Sequence, residues 1–182
     1  KKKEKRKFYE TNHPMCSSLY EPNEEFLKLF NNLEFAYLKN TTEIETITLD
    51  SFMQEQKIDF IDFIKIDVQG AELDVFQGST NSLNNVMAVI SEVEFLPLYI
   101  NQPLFGDICS FLKSKNISFH KFLNLSGRTL KPITFKNNLN FATQHIWSDG
   151  VFVRDILKIP DLTNQQLLKL AIFTYLYNSP DL

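Results

Sequence analysis

The chain has 182 residues, 43% of them hydrophobic, which suits one domain with a sizeable core. Its net charge of −3 gives no surplus of cations for a phosphate backbone, so nucleic acid is not an expected partner. The longest apolar stretches, such as LLKLAIFTYLY, are too short and too interrupted to span a bilayer.

In chain order, the basic start KKKEKRK (1–7) reads as a solvated, frayed end rather than an anionic-surface contact. KFYET (7–11) suits a short strand, and NHPMCSSLYEPN (12–23) a structured loop in which Pro14 and Pro22 prevent regular pairing. His13 and Cys16 have ligand-like spacing, but no second pair completes a four-ligand metal site. Cys16 and Cys109 form no disulfide framework and fit a reducing compartment, hence a cytoplasmic protein.

ETITLDSF (45–52) reads as a strand running into a short helix. IDFIDFIKIDV (58–68) is rich in β-branched and aromatic residues and predicts a strand from about residue 62, closed by Gly70. AELDVFQG (71–78) predicts a helix with Gly78 as its stop. VMAVISEVE (86–94) is a second apolar strand. PLFGDICSFLKSKN (103–116) is a helix with Leu104, Ile108, Phe111 and Leu112 on one face. ISFHKFL (117–123) is a third strand, NLSGRTL a turn, and HIWSDGVFVRD (145–155) a fourth strand. TNQQLLKLAIFTYLY (163–177) opens with Thr163 and Gln166 in capping-box spacing and is apolar on most faces, so it is expected to dock. The alternation predicts an α/β sheet, parallel in its middle, with the last two strands able to pair antiparallel.

Ligands of open parallel sheets bind beyond the carboxyl ends of the strands. Asp67 lies at such an end, with Lys65 on the same strand face about 7 Å away. A nearby ammonium favours the charged carboxylate, which suits a general base or a hard-metal ligand; the competing reading is a cap for the following helix. Glu92 and Glu94 end the next strand, and one of the two is expected to face solvent. Asp149 starts the last strand and reaches the Asp67 rim if that strand runs antiparallel. No two of the five glycines (70, 78, 106, 127 and 150) stand in G-x-G spacing, so no phosphate loop is present. His13, His120 and His145 read as structural or surface residues.

TLDSF, IDFIKIDVQGAELDVFQGS, VISEVEF and IWSDGVFVRD follow one another in an order and spacing that resembles the FkbM family of S-adenosylmethionine-dependent methyltransferases. The upstream CSSLYEPN and the closing LLKLAIFTYLYNSPDL also look like that family, and KIDVQGAEL is the most specific piece. Gln69 departs from the glutamate the family usually carries there. The family's glycine-rich loop and its ribose-binding acidic residue do not precede CSSLYEPN, so the cofactor-binding residues are unassigned. At roughly 30 residues per strand–helix–strand unit, about 80–100 residues of the fold lie outside this sequence.

The resemblance implies a Rossmann-like methyltransferase sheet: partial, mixed, with an antiparallel last strand and a C-terminal helix. Residues 1–182 would be a single domain, the C-terminal portion of a methyltransferase domain. It implies transfer of a methyl group from S-adenosyl-L-methionine to a hydroxyl of a sugar or glycan. Asp67 would be the base or a divalent-metal ligand, Glu92 the second catalytic carboxylate, and Ser17 and Ser18 would line the acceptor side. The rival expectation is a truncated, non-catalytic module, or a subunit completed by a partner through an exposed sheet edge.

Overall fold

The computed structural model describes residues 3–138 and 141–182. It opens with an antiparallel ribbon of β1 (Lys3–Thr11) and β2 (Leu38–Ile47). The register sets Lys5 opposite Glu45 and Lys7 opposite Glu43, so the lysine run meets a matching acidic strand. The basic start is therefore paired strand from Lys3 onward, and the expectation of a frayed end is corrected for those residues. Between the two strands lie the 12–23 loop and the four-residue helix α1 (Glu24–Leu27), whose Asn23 side chain accepts from the Phe26 amide.

After β2 comes α2 (Leu49–Gln56), capped by Thr48, whose hydroxyl accepts from the Ser51 amide. The main sheet then forms from β3 (Phe63–Ile66), β4 (Ala88–Glu94), β5 (Ile117–Phe122), the two-residue β6 (Ser126–Gly127) and β7 (His145–Arg154). Its order is β3-β4-β7-β5, with β6 paired to β7. β3 and β4 are parallel, and β7 runs antiparallel between β4 and β5. The mixed sheet with a reversed last strand follows the sequence-based expectation. Among the described residues, the outer edge of β3 has no partner strand.

Alternating residues of β4 and β7 feed two cores on opposite faces. On one face Val89, Val93 and Phe152 pack with Phe76 of α3 (Glu72–Gln77) and with Ile108 and Leu112 of α4 (Phe105–Ser114). On the other, Ala88, Ile90, Val151 and Val153 pack with Leu170 and Phe173 of α5 (Asn164–Leu176). The Thr163–Gln166 capping box forms as its spacing predicts, with bonds of 3.3 and 2.9 Å. α5 docks by a narrow stripe, however. Leu168, Ile172, Tyr175 and Leu176 remain exposed, so apolar composition overstated its contact.

A third cluster, built on Leu27, Phe30, Leu33, Ala36 and Ile146, sits beyond the carboxyl ends of β3 and β4 and carries Cys16, Phe35, Leu98 and Trp147 on its flank. Arg154 ties the opposite end, donating to the carbonyls of Leu83 at 2.7 Å and Lys115 at 3.1 Å. Of the predicted α4 stripe, Ile108 and Leu112 are fully buried, while Leu104 and Phe111 are half-buried. Leu112→Ala should therefore cost about 2–5 kcal/mol and Phe111→Ala distinctly less, since the loss scales with the cavity left behind. Urea melts of the two variants check the order; equal losses would mean that α4 is rotated.

Candidate active site

β3 delivers Asp67 one residue past its end, and the chain then turns through Gln69 and Gly70, both left-handed at φ +56° and +89°. Glycine is required at 70 on two counts. Its φ disfavours a side chain, and a Cβ there would stand 3.2 Å from both Gln102 Nε2 and the Tyr99 ring. Gln69 carries a side chain in a region where non-glycine residues are uncommon, and such strain is held in place by its surroundings. Here the surroundings are specific. The Gln69 amide nitrogen donates to Asp67 Oδ1 at 2.6 Å and to Glu92 Oε2 at 2.7 Å. Its oxygen accepts from the Tyr99 hydroxyl at 3.1 Å, and that hydroxyl also donates to the Cys16 carbonyl at 2.8 Å.

Behind this bridge lie two further carboxylates. Glu72, in the first turn of α3, is 1% exposed, and its Oε1 accepts from the Val68 amide at 2.7 Å. Glu94, at the end of β4, is also 1% exposed. One oxygen of each, Oε2, is buried without a hydrogen-bond partner among the described residues. The expectation that Glu92 or Glu94 faces solvent is thus corrected: Glu92 is half-buried and Glu94 fully so. Both lie on one strand face, two residues apart, and the 12–36 region covers that end of the sheet.

Burial and mutual repulsion favour the neutral acids. Burial pushes the Glu92 carboxyl up to about 10, with Glu94 and Asp67 adding to the shift. Glu72 is pushed up to about 7, again by burial first, against the opposing Val68 amide bond. Glu94 is raised well above the carboxylate range by burial and by its neighbours Glu72 and Asp67. Cys16 is raised to about 11 by burial and by Glu92 and Asp67, so it is a thiol at neutral pH. Asp67 is the exposed member of the group.

Lys65 does not pair with Asp67. Its ammonium reaches Asp149 Oδ1 at 3.4 Å, two strands away. Asp149 does arrive at the same rim, opposite Glu92 in the β4–β7 register, as an antiparallel last strand requires. Ser17 Oγ accepts from the Thr11 amide at 3.2 Å, and buried Ser18 donates to the Gln69 carbonyl at 2.6 Å. A cavity of about 390 Å³ opens beside the carboxylates, with Asp67, Gln69 and Glu92 on one side and Met15, Phe35, Leu98 and Trp147 on the other. His13, Cys16 and Tyr99 also line it, whereas neither serine does.

The cavity is partly apolar and carries the strand-end acids Asp67 and Glu92 in its lining. The model of the methyltransferase FkbM domain matches residues 3–119, the stretch that includes the ribbon, the Asp67–Gly70 turn and β4. The chain belongs to the FkbM methyltransferase family. Its main sheet and C-terminal helix are those of a Rossmann-like methyltransferase fold. No curated protein and no solved structure matches the chain.

Sequence reading had singled out Asp67, Glu92, Asp149 and the departure at Gln69, but not the place of Glu72, Tyr99 or Trp147 in this FkbM site. The spacing of Glu72 from Gly70 was a usable signal, since a residue two past a tight turn is carried back over the strand end.

The raised carboxyls set the pH dependence of stability. Glu92 keeps its proton on folding but loses it when unfolded above about 4.5, so stability is fullest below that pH and falls as pH rises toward about 10. Glu72 adds a decline between about 4.5 and 7. One proton corresponds to a slope of about 1.4 kcal/mol per pH unit. Glu92→Gln should therefore flatten the profile and make the protein more stable than wild type at pH 9. Urea melts at pH 5, 7 and 9 check this, and a variant that loses stability equally at all three would contradict it.

Proposed function

We propose that this FkbM chain carries the acceptor side of an S-adenosylmethionine-dependent O-methyltransferase acting on a sugar or glycan hydroxyl. The observation that carries the reading is the Asp67–Gln69–Glu92 bridge at the mouth of a cavity walled by Trp147 and Phe35. Aromatic faces beside carboxylates suit a sugar, whose C–H face stacks while its hydroxyls donate.

The exposed Asp67 carboxylate, which lines the cavity, fits the cationic methyl-bearing end of the cofactor and would attract it. The glycine loop and ribose-binding acid expected for the adenosyl end are not supplied by the described residues. When bound, the cofactor provides an electrophilic methyl group that needs no metal or covalent intermediate to accept an oxygen nucleophile. The residues of the chain then have three tasks. Asp67, exposed at the rim, accepts the proton of the acceptor hydroxyl as that oxygen attacks. Gln69 holds Asp67 and Glu92 at fixed separation, so the base does not have to be repositioned. The apolar wall around Leu98 and Phe35 keeps water from competing with the acceptor.

Asp67→Asn in the intact enzyme should lower methyl transfer by about 10²–10⁴-fold, the usual worth of a positioned base, and leave the circular dichroism spectrum unchanged. Radiolabelled transfer to a panel of sugars measures it, and wild-type turnover by the variant on the true acceptor would refute the role.

The unpartnered edge of β3 favours one second reading: a subunit whose cofactor half pairs along that edge, whether from the same polypeptide or from a partner. Residues 1–182 alone should then bind S-adenosylmethionine about a hundredfold or more weakly than a complete site, since two polar contacts cost roughly 1.5–3 kcal/mol each. Isothermal titration paired with light scattering tests this. Micromolar binding by a monomer would contradict it.

A further inference from the structure

We propose that Asp67, Glu72 and Glu92 form a binding site for a hard divalent cation, beside the acceptor cavity that Asp67 and Glu92 line. One carboxylate oxygen from each residue converges, all within 4.8 Å of one another. Oxygens that ligate Ca²⁺ sit about 2.3–2.6 Å from the ion and so stand up to about 5 Å apart across it. The three oxygens already fall inside that span, without movement of any side chain.

Convergence of acids alone would not make a site. The second observation is Glu72, which is 1% exposed yet has Oε2 buried without a donor among the described residues. A buried acceptor left unsatisfied costs about 1–3 kcal/mol, and native structures rarely tolerate one. No lysine or arginine forms an ion pair with any of the three carboxylates among the described residues, so the protein supplies no cation of its own there. Lys65, the nearest in sequence, is engaged with Asp149.

Gln69 explains how the site stands without an ion. Its amide donates to Asp67 Oδ1 and to Glu92 Oε2, and the two carboxyls also stand in side-chain hydrogen-bond contact with each other. The amide thus holds both ligands with a neutral group rather than a charge. Asp67 and Glu92 also line the cavity, so a bound ion would face the acceptor and could take a ligand hydroxyl into its coordination shell. Cation binding itself requires neither cofactor nor acceptor and is independent of methyl transfer.

The test is titration of the 182-residue chain with CaCl₂, and separately with MgCl₂, in cofactor-free buffer. Calorimetry and thermal melts provide the two readouts. Saturable one-to-one binding with a rise in Tm is expected for at least one of the two ions. Glu72→Gln should weaken it tenfold or more, while Glu34→Gln, at an exposed carboxylate that is paired with Lys131 and does not line the cavity, should leave it unchanged. Gln69→Glu keeps the proposal testable if Glu72→Gln fails to fold. A fourth carboxylate should lower the Tm in chelator and tighten ion binding at least tenfold, so that the ion restores the lost Tm. Absence of saturable binding in both wild type and Gln69→Glu would overturn the site. So would equal weakening by Glu34→Gln, which would mark the binding as diffuse surface charge. Either result would leave the Asp67→Asn transfer test standing.

Discussion

The constraint on which this site depends is the burial of carboxylates at the ends of two parallel strands. Taking an acid out of water is costly unless it is protonated, paired or hydrogen-bonded. The chain answers locally with a turn that places Gln69 in the left-handed region and aims its amide at two of the acids. Gly70 makes that turn available, and Tyr99 fixes the far end of the amide. The remaining acids are left with amides from the turn, with protons, or with nothing. This is a poor arrangement for stability and a good one for chemistry, because groups whose protons are easily exchanged are concentrated where a ligand can reach them.

The scaffold that tolerates this expense lies on the two faces of the sheet. Fully buried Val89, Phe152, Ile108 and Leu112 fill one core, and Ile90, Val151 and Leu170 fill the other. Side chains of this size contribute about 1.5–3 kcal/mol each on burial, enough in sum to carry a few unfavourable polar groups. The division of labour follows strand position. The first three residues of β4, Ala88, Val89 and Ile90, are apolar on both faces, and the acids begin only at Glu92 and Glu94, toward the end of the strand where the third cluster takes over.

Much of this was legible in the amino-acid order wherever the deciding interactions are local. The strand at 63–66, the α4 helix, the 163–166 capping box and the reversal of the last strand all rest on periodicity, capping groups or connection length. The ribbon was not legible in full. What holds Lys3–Lys7 straight is Glu43 and Glu45 on a strand far along the chain, and no window around the lysines contains them. The depth of α5 was misjudged for a related reason: composition gives apolar area but not how much of it another element will cover. At the site, Asp67 and Glu92 stood out as charges in apolar runs. Glu72 did not, because an acid in the first turn of a helix is ordinary, and its two-residue spacing from Gly70 was the one signal that this turn points back over the strand end.

Ser18 is where the ribbon and the site meet. Its backbone exchanges both hydrogen bonds with Tyr9 of β1, and its hydroxyl holds the Gln69 carbonyl. Farther along the ribbon, Arg6 grips Asp74 on α3, the helix whose first turn carries Glu72. Ribbon and turn are therefore linked at two points, like a lever pinned to the part it moves. A substitution that loosens the Ser18 or Arg6 contact would be felt at the peptide that aims the Gln69 amide. The position of the Gln69 turn is thus fixed from a surface that lies outside the cavity.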